Sequence, residues 1–217
     1  MILRQMSAET LVIRRAELDM EEPWATPAVS TPVRLRRATD AAAPRLATTL
    51  SAWYDDEYLN VLFSASDDHV QATHLEHDAP IYEQDVVEIF LAPERPTQYF
   101  EIEVSPRGTI FDARIDSPDG VRGTMRVDRD WTCEGLVAAV RRVTESSGAI
   151  SIDTVVRIPF ASLERATPVD GETWRGNFFR IDRHPQQGDE LTAWQPTYRI
   201  PADFHVVAAF GALRFVR

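Results

Sequence analysis

Gln98-Tyr99-Phe100-Glu101-Ile102-Glu103-Val104-Ser105-Pro106-Arg107-Gly108-Thr109-Ile110-Phe111-Asp112-Ala113-Arg114-Ile115 is the stretch on which the reading of this chain turns. Both arms alternate around a tight-turn signal, Pro106-Arg107-Gly108. Period-two alternation marks a strand that shows different chemistry on its two faces. In the first arm Phe100, Ile102 and Val104 face one way, and Tyr99, Glu101 and Glu103 the other. In the second arm Thr109, Phe111, Ala113 and Ile115 stand against Ile110, Asp112 and Arg114. The arms are expected to pair as a hairpin that gathers Glu101, Glu103, Asp112 and Arg114 on the side away from Phe100, Ile102 and Val104. Such a cluster suits hydroxyls, a cation or a cationic group.

Strand signals continue outward in both directions. Leu11 to Arg15 is a short apolar run, and Ala47 to Trp53 and Tyr58 to Ser66 flank the turn Tyr54-Asp55-Asp56-Glu57. Asp85 to Ala92 is almost continuously apolar, as a strand buried on both faces would be. Further strands are expected at Glu134 to Val143, Ile150 to Ile158, Trp174 to Arg180 and Ala209 to Val216, with Gly, Pro and Asp turns between them. Helical signal is limited to about one turn near Phe160 to Arg165 and a stretch at Glu21 to Ser30. Many short strands with such punctuation predict an all-β fold. The expectation is a single antiparallel β-sandwich over residues 1–217, jelly-roll or immunoglobulin-like, with at most one or two short helical turns.

Composition narrows the function. A chain of 217 residues is long enough to bury a core without disulfides. Its net charge of −11, from 34 acidic and 23 basic residues, argues against nucleic acid or an anionic membrane as a partner. Every basic residue is Arg, so no lysine nucleophile or Schiff base is available. Cys133 is the single cysteine and reads as a small strand residue. No apolar run approaches the roughly 20 residues of a membrane span. The N-terminus shows no signal-peptide core, so the expected location is cytoplasmic, or extracellular or periplasmic if a leader was removed.

Tyr82-Glu83-Gln84-Asp85-Val86-Val87-Glu88-Ile89-Phe90 resembles the family 9 carbohydrate-binding modules. So do Tyr54-Asp55-Asp56-Glu57-Tyr58-Leu59 followed by Asp67-Asp68, Ile158-Pro159-Phe160-Ala161-Ser162-Leu163, Trp174-Arg175-Gly176-Asn177-Phe178-Phe179-Arg180 and Phe210-Gly211-Ala212-Leu213. The resemblance runs from about Leu46 to the C-terminus. It implies a jelly-roll, often with bound calcium, that grips the ends of sugar chains between two tryptophans and a polar clamp. Here the tryptophan positions fall on Tyr82 and Phe204, and the clamping acid on Glu88. The clamping arginine falls on Glu101 and the clamping asparagine on Pro201.

The expected function is therefore a carbohydrate-binding, non-catalytic module holding a saccharide or small polyol. Its ligand residues are Tyr82, Glu88, Glu101, Arg114 and Phe204, with Trp194 lining the same cleft or packing in the core. Asp55, Asp56, Asp67 and Asp68 are the calcium candidates. His74-Leu75-Glu76-His77-Asp78 is the densest run of metal-capable residues and reads as a polar loop. Two other readings stand beside this one. One is a glycoside hydrolase-type enzyme using the acidic sheet face. The other is a protein-interaction sandwich without a small ligand.

Overall fold

Each alternating segment folds as a strand because one face can then be buried while the backbone pairs sideways. The computed structural model describes residues 9–18, 21–25 and 30–217. In chain order the strands are β1 (Thr10–Arg15), β2 (Val33–Arg34), β3 (Arg36–Arg37), β4 (Thr48–Tyr54), β5 (Tyr58–Asp67), β6 (Val86–Arg95) and β7 (Gln98–Val104). They continue with β8 (Ile110–Asp116), β9 (Arg126–Asp128), β10 (Val137–Thr144), β11 (Ile150–Pro159), β12 (Thr173–Asp182), β13 (Glu190–Ala193) and β14 (Gly211–Val216). Four single turns of 3-10 helix, at Ile81–Glu83, Arg122–Thr124, Ala161–Leu163 and Val207–Ala209, are the helical content of the described residues. Part of the expected helical stretch Glu21 to Ser30 lies outside the described residues, and residues 21–25 form bends and turns. No described helix is long and apolar enough to cross a membrane.

Hydrogen bonding runs without a break in the order β10-β11-β5-β4-β1-β14-β12-β6-β7-β8-β9. Pairing is antiparallel except at β1, which lies parallel to β14 on one side and to β4 on the other. This strand joins two antiparallel halves. Their inner faces meet in one cluster, with Leu50, Val61, Phe63 and Val156 from one half and Ile89, Leu91, Ile102 and Phe178 from the other. The fold is a β-sandwich.

The half made by β12, β6, β7 and β8 is covered on its second face as well. There Val86, Phe90, Tyr99, Phe111 and Phe179 pack under Ile81, Phe204 and Phe210 from the connecting loops. That double burial is why the β6 segment reads as nearly continuous hydrophobics. Cys133 is buried in the loop before β10 rather than in a strand. Burial pushes its thiol up to about 12, which suits a packed, unreactive side chain.

Candidate functional site

The second face of this half is where the acids gather. Glu88 on β6 stands directly opposite Glu103 on β7, and Glu101 follows two positions along. The same register puts Phe179 beside Glu88 and Phe111 beside Glu103. The row across four strands is thus Phe179, Glu88, Glu103, Phe111. Above its two ends sit two more rings. Phe204 stacks on Phe179, with centroids 4.2 Å apart, and Tyr82 meets Phe111 edge-on at 5.7 Å. The acids form a floor between two aromatic pairs, at the base of a cavity of about 710 Å³.

All three carboxylates are buried, at 3% exposure for Glu88, 6% for Glu101 and 1% for Glu103. Their oxygens lie within 4.8 Å of one another. Burial is the main cause that holds every one of them above the ordinary carboxylate range, and mutual repulsion adds to it for Glu88 and Glu103. Glu101 is lifted to about 7; a proton shared with Glu103 favours Glu101 as the carboxylate, as do the charges of Arg122 and Arg129. Beyond that shared proton, Glu103 Oε2 is buried and meets no donor among the described residues.

Around the floor the remaining groups are already engaged. The Tyr99 hydroxyl lies 2.7 Å from His205 Nδ1, and His205 Nε2 lies 3.7 Å from Glu101 Oε1. Burial pushes His205 down to about 4, so the ring is neutral near pH 7. Arg122 Nη1 donates to Asp203 at 2.7 Å. Arg129 donates to the Tyr82 hydroxyl at 3.3 Å and lies over the Phe111 ring. Arg199, Ile200 and Pro201 stand exposed at the mouth.

The structure therefore brings Tyr82, Glu88, Glu101 and Phe204 to one cavity. Arg114 is not there. Val104 pairs with Ile110 across a five-residue turn, so Phe100 faces Arg114 and Ile102 faces Asp112. That parity turns Arg114 and Asp112 to the opposite face from Glu101 and Glu103. Arg114 instead pairs with Asp128 and Glu164 at the sheet margin. Asp112 is buried and accepts from the Cys133 amide. Trp194 is also outside the cavity. It packs against Phe178 in the inner core and covers Gly211, where an added Cβ would collide with the indole.

The calcium candidates are committed elsewhere. Asp55 accepts the Glu57 and Tyr58 amides at one oxygen and Asn60 and Arg157 at the other. Asp56 pairs with Arg15, and Asp68 with Arg45. Asp67 converges with Asp85 and Asp182, all buried. But Arg180 is wedged among them, 2.8 Å from Asp67 Oδ2 and 3.6 Å from Asp182 Oδ1. Arg45 holds the other Asp182 oxygen at 3.0 Å. Both Asp85 oxygens accept backbone amides, from Gln71 and Arg183. A guanidinium already supplies the positive charge a cation would bring, so these residues do not fit a resident calcium ion.

Sequence reading placed Glu101 and Glu103 on one face but missed His205, Arg122 and Arg129. The last two reach the cavity through loop geometry that leaves no periodic signal. His205 adjoins Phe204 in sequence, and a loop residue beside an assigned ligand position was the available clue.

The chain matches the family model described as carbohydrate-binding family 9 over residues 43–215. It belongs to that family. No curated protein sequence matches it. Among solved structures, a protein from Bacteroides uniformis proposed to bind carbohydrate superposes with a TM-score of 0.75 at 18% identity, over 96% of this chain and 100% of that one. A family 9 module from Caldicellulosiruptor kristjanssonii in complex with cellotriose gives 0.64 at 14% identity, over 96% and 94%. One from the same organism in complex with glucose gives 0.60 at 12%, over 96% and 97%. At these identities the likenesses are to the fold.

Proposed function

We propose that this family 9 chain binds a saccharide in the cavity between Tyr82 and Phe204, with Glu88 and Glu101 taking hydroxyls. The carrying observation is the acidic floor set between two aromatic pairs. A pyranose has apolar C–H faces that pack on rings and equatorial hydroxyls that need polar partners, and the cavity offers both. Its volume of about 710 Å³ suits a ligand of one to a few sugar units. The solved family 9 modules with cellotriose and glucose support the ligand class. Binding is favoured over hydrolysis because Glu88, Glu101 and Glu103 rise from one sheet floor, on one side of any ligand. A glycosidase needs its two carboxyls flanking the scissile bond.

A thermal-shift screen against mono- and oligosaccharides tests this. A ligand that binds only the folded state raises the melting temperature. The expected result is a shift with a specific sugar in the wild type and a much smaller one in Tyr82→Ala. No shift with any sugar at millimolar concentration would remove the saccharide reading.

A further inference from the structure

The floor of the cavity is short of positive charge. Glu88, Glu101 and Glu103 converge within 4.8 Å, and among the described residues no arginine forms an ion pair with any of them. Arg122 and Arg129 act on them from the rim, tied to Asp203 and to Tyr82, and Arg183 acts on Glu88 while tied to Asp189 and the Tyr82 carbonyl. His205 reaches Glu101 as a neutral ring. Glu103 Oε2, on a residue 1% exposed, has no protein donor. A buried carboxylate oxygen in that state is costly unless a ligand completes it.

We infer that the cavity recognises a ligand carrying a protonated primary amine, seated among Glu88, Glu101 and Glu103, and that the ligand class is an amino sugar. The sugar part of this rests on the saccharide reading above; the ammonium part does not. An ammonium has three donors, and the floor presents three carboxylates. The aromatic pairs beside the floor line the cavity with apolar rings, which suits an organic cation over a bare metal ion. Calcium takes six to eight oxygens, and the residues that flank the acids in the row, Phe111 and Phe179, offer none. The cavity is also far larger than an ion needs.

Binding of the cation draws protons off the triad. Affinity then rises as pH is raised toward and past about 7, the value of Glu101, for as long as the amine stays protonated. The other ionisable groups facing the floor do not reverse this. The arginines stay charged, and His205 is already neutral.

Calorimetric titration of the whole chain at about pH 7 decides it. The probes are glucosamine, glucose, N-acetylglucosamine, cyclohexylamine and calcium chloride, each on wild type and on Glu103→Gln. Glucosamine should bind about ten- to a hundredfold more tightly than glucose or the uncharged acetylated form, the gain of a charge-assisted bond. Its binding should release protons, and Glu103→Gln should abolish the preference for glucosamine over glucose. Equal affinity for glucose and glucosamine overturns the inference and leaves the saccharide reading standing. Cyclohexylamine binding as well as glucosamine, with glucose silent, keeps the ammonium site and removes the sugar. Tighter binding of calcium, lost in Glu103→Gln, overturns it in favour of a metal. No heat from either amine overturns it outright.

Discussion

At the scale of single residues, Glu103 sets the energetics of the site. It is a buried acid with an oxygen that no protein group donates to. Glu103→Gln keeps the shape, removes a buried group whose ionisation is costly, and supplies an amide that can donate to Glu101. The variant should be more stable than wild type above about pH 7, read as a higher denaturation midpoint. The pH dependence follows from the same acids. Their folded-state values lie above the unfolded ones, so their stabilising contribution is whole below about pH 4.5 and is lost as pH rises through about 7 for Glu101. Asp85, lifted by burial to about 6, adds to this loss. His205, pushed down to about 4, works the other way between there and its ordinary value near 6.5. Four acids outnumber one imidazole, so urea unfolding at stepped pH should show stability falling from pH 5 to pH 8. A flat profile would mean that the triad is better satisfied than its geometry shows. The two rings at the mouth are not equivalent either. Phe204 is 6% exposed and stacked on Phe179, so Phe204→Ala should cost about 3–5 kcal/mol of stability. Tyr82 is half-buried, and its loss should be felt mainly in ligand affinity.

At the scale of elements, sequence periodicity was a good guide to strands and a poor one to their registry. The long strands announced themselves through alternation and turn residues. The two-residue β2 and β3, three-residue β9 and four-residue β13 are too short to show a period. The β7–β8 hairpin shows why the site was only half legible. Alternation fixes which residues of one strand share a face, so Glu101 and Glu103 were placed together from the sequence. It does not fix which face of the partner joins them, because that depends on the parity of the turn. Five turn residues pair Glu101 with Ala113 rather than with Arg114. Close approaches between elements are likewise invisible in one dimension. Gly211 on β14 lies under the Trp194 indole, where a Cβ would sit well inside contact distance. Gly211→Ala should therefore destabilise by about 1–3 kcal/mol, through displacement of Trp194 from the core. Tryptophan fluorescence should shift with it, and an unchanged emission and midpoint would show that the indole has room to move.

At the scale of the whole molecule, the two halves of the sandwich are tied at one end by a buried ionic knot. Arg180 on β12 reaches across to Asp67 at the end of β5, and donates to Thr48 and to the Ser66 carbonyl as well. Removing one partner leaves the other charge buried and unpaired, so Asp67→Ala should cost about 3–5 kcal/mol. Because arginine fills the place of a cation there, a chelator should leave the melting temperature unchanged, and added calcium should not raise it through these residues. A shift of several degrees in either experiment would show that the guanidinium yields to an ion. The parallel placement of β1 has a different kind of consequence, one of timing. Thr10 is registered against Ala212, and β12 also takes β14 as a neighbour. The seam between the halves joins residues at opposite extremes of the sequence, so it closes only after the last strand has been made. During synthesis β1 waits with an open edge while some two hundred residues emerge, and the sandwich can lock only once translation has delivered β14.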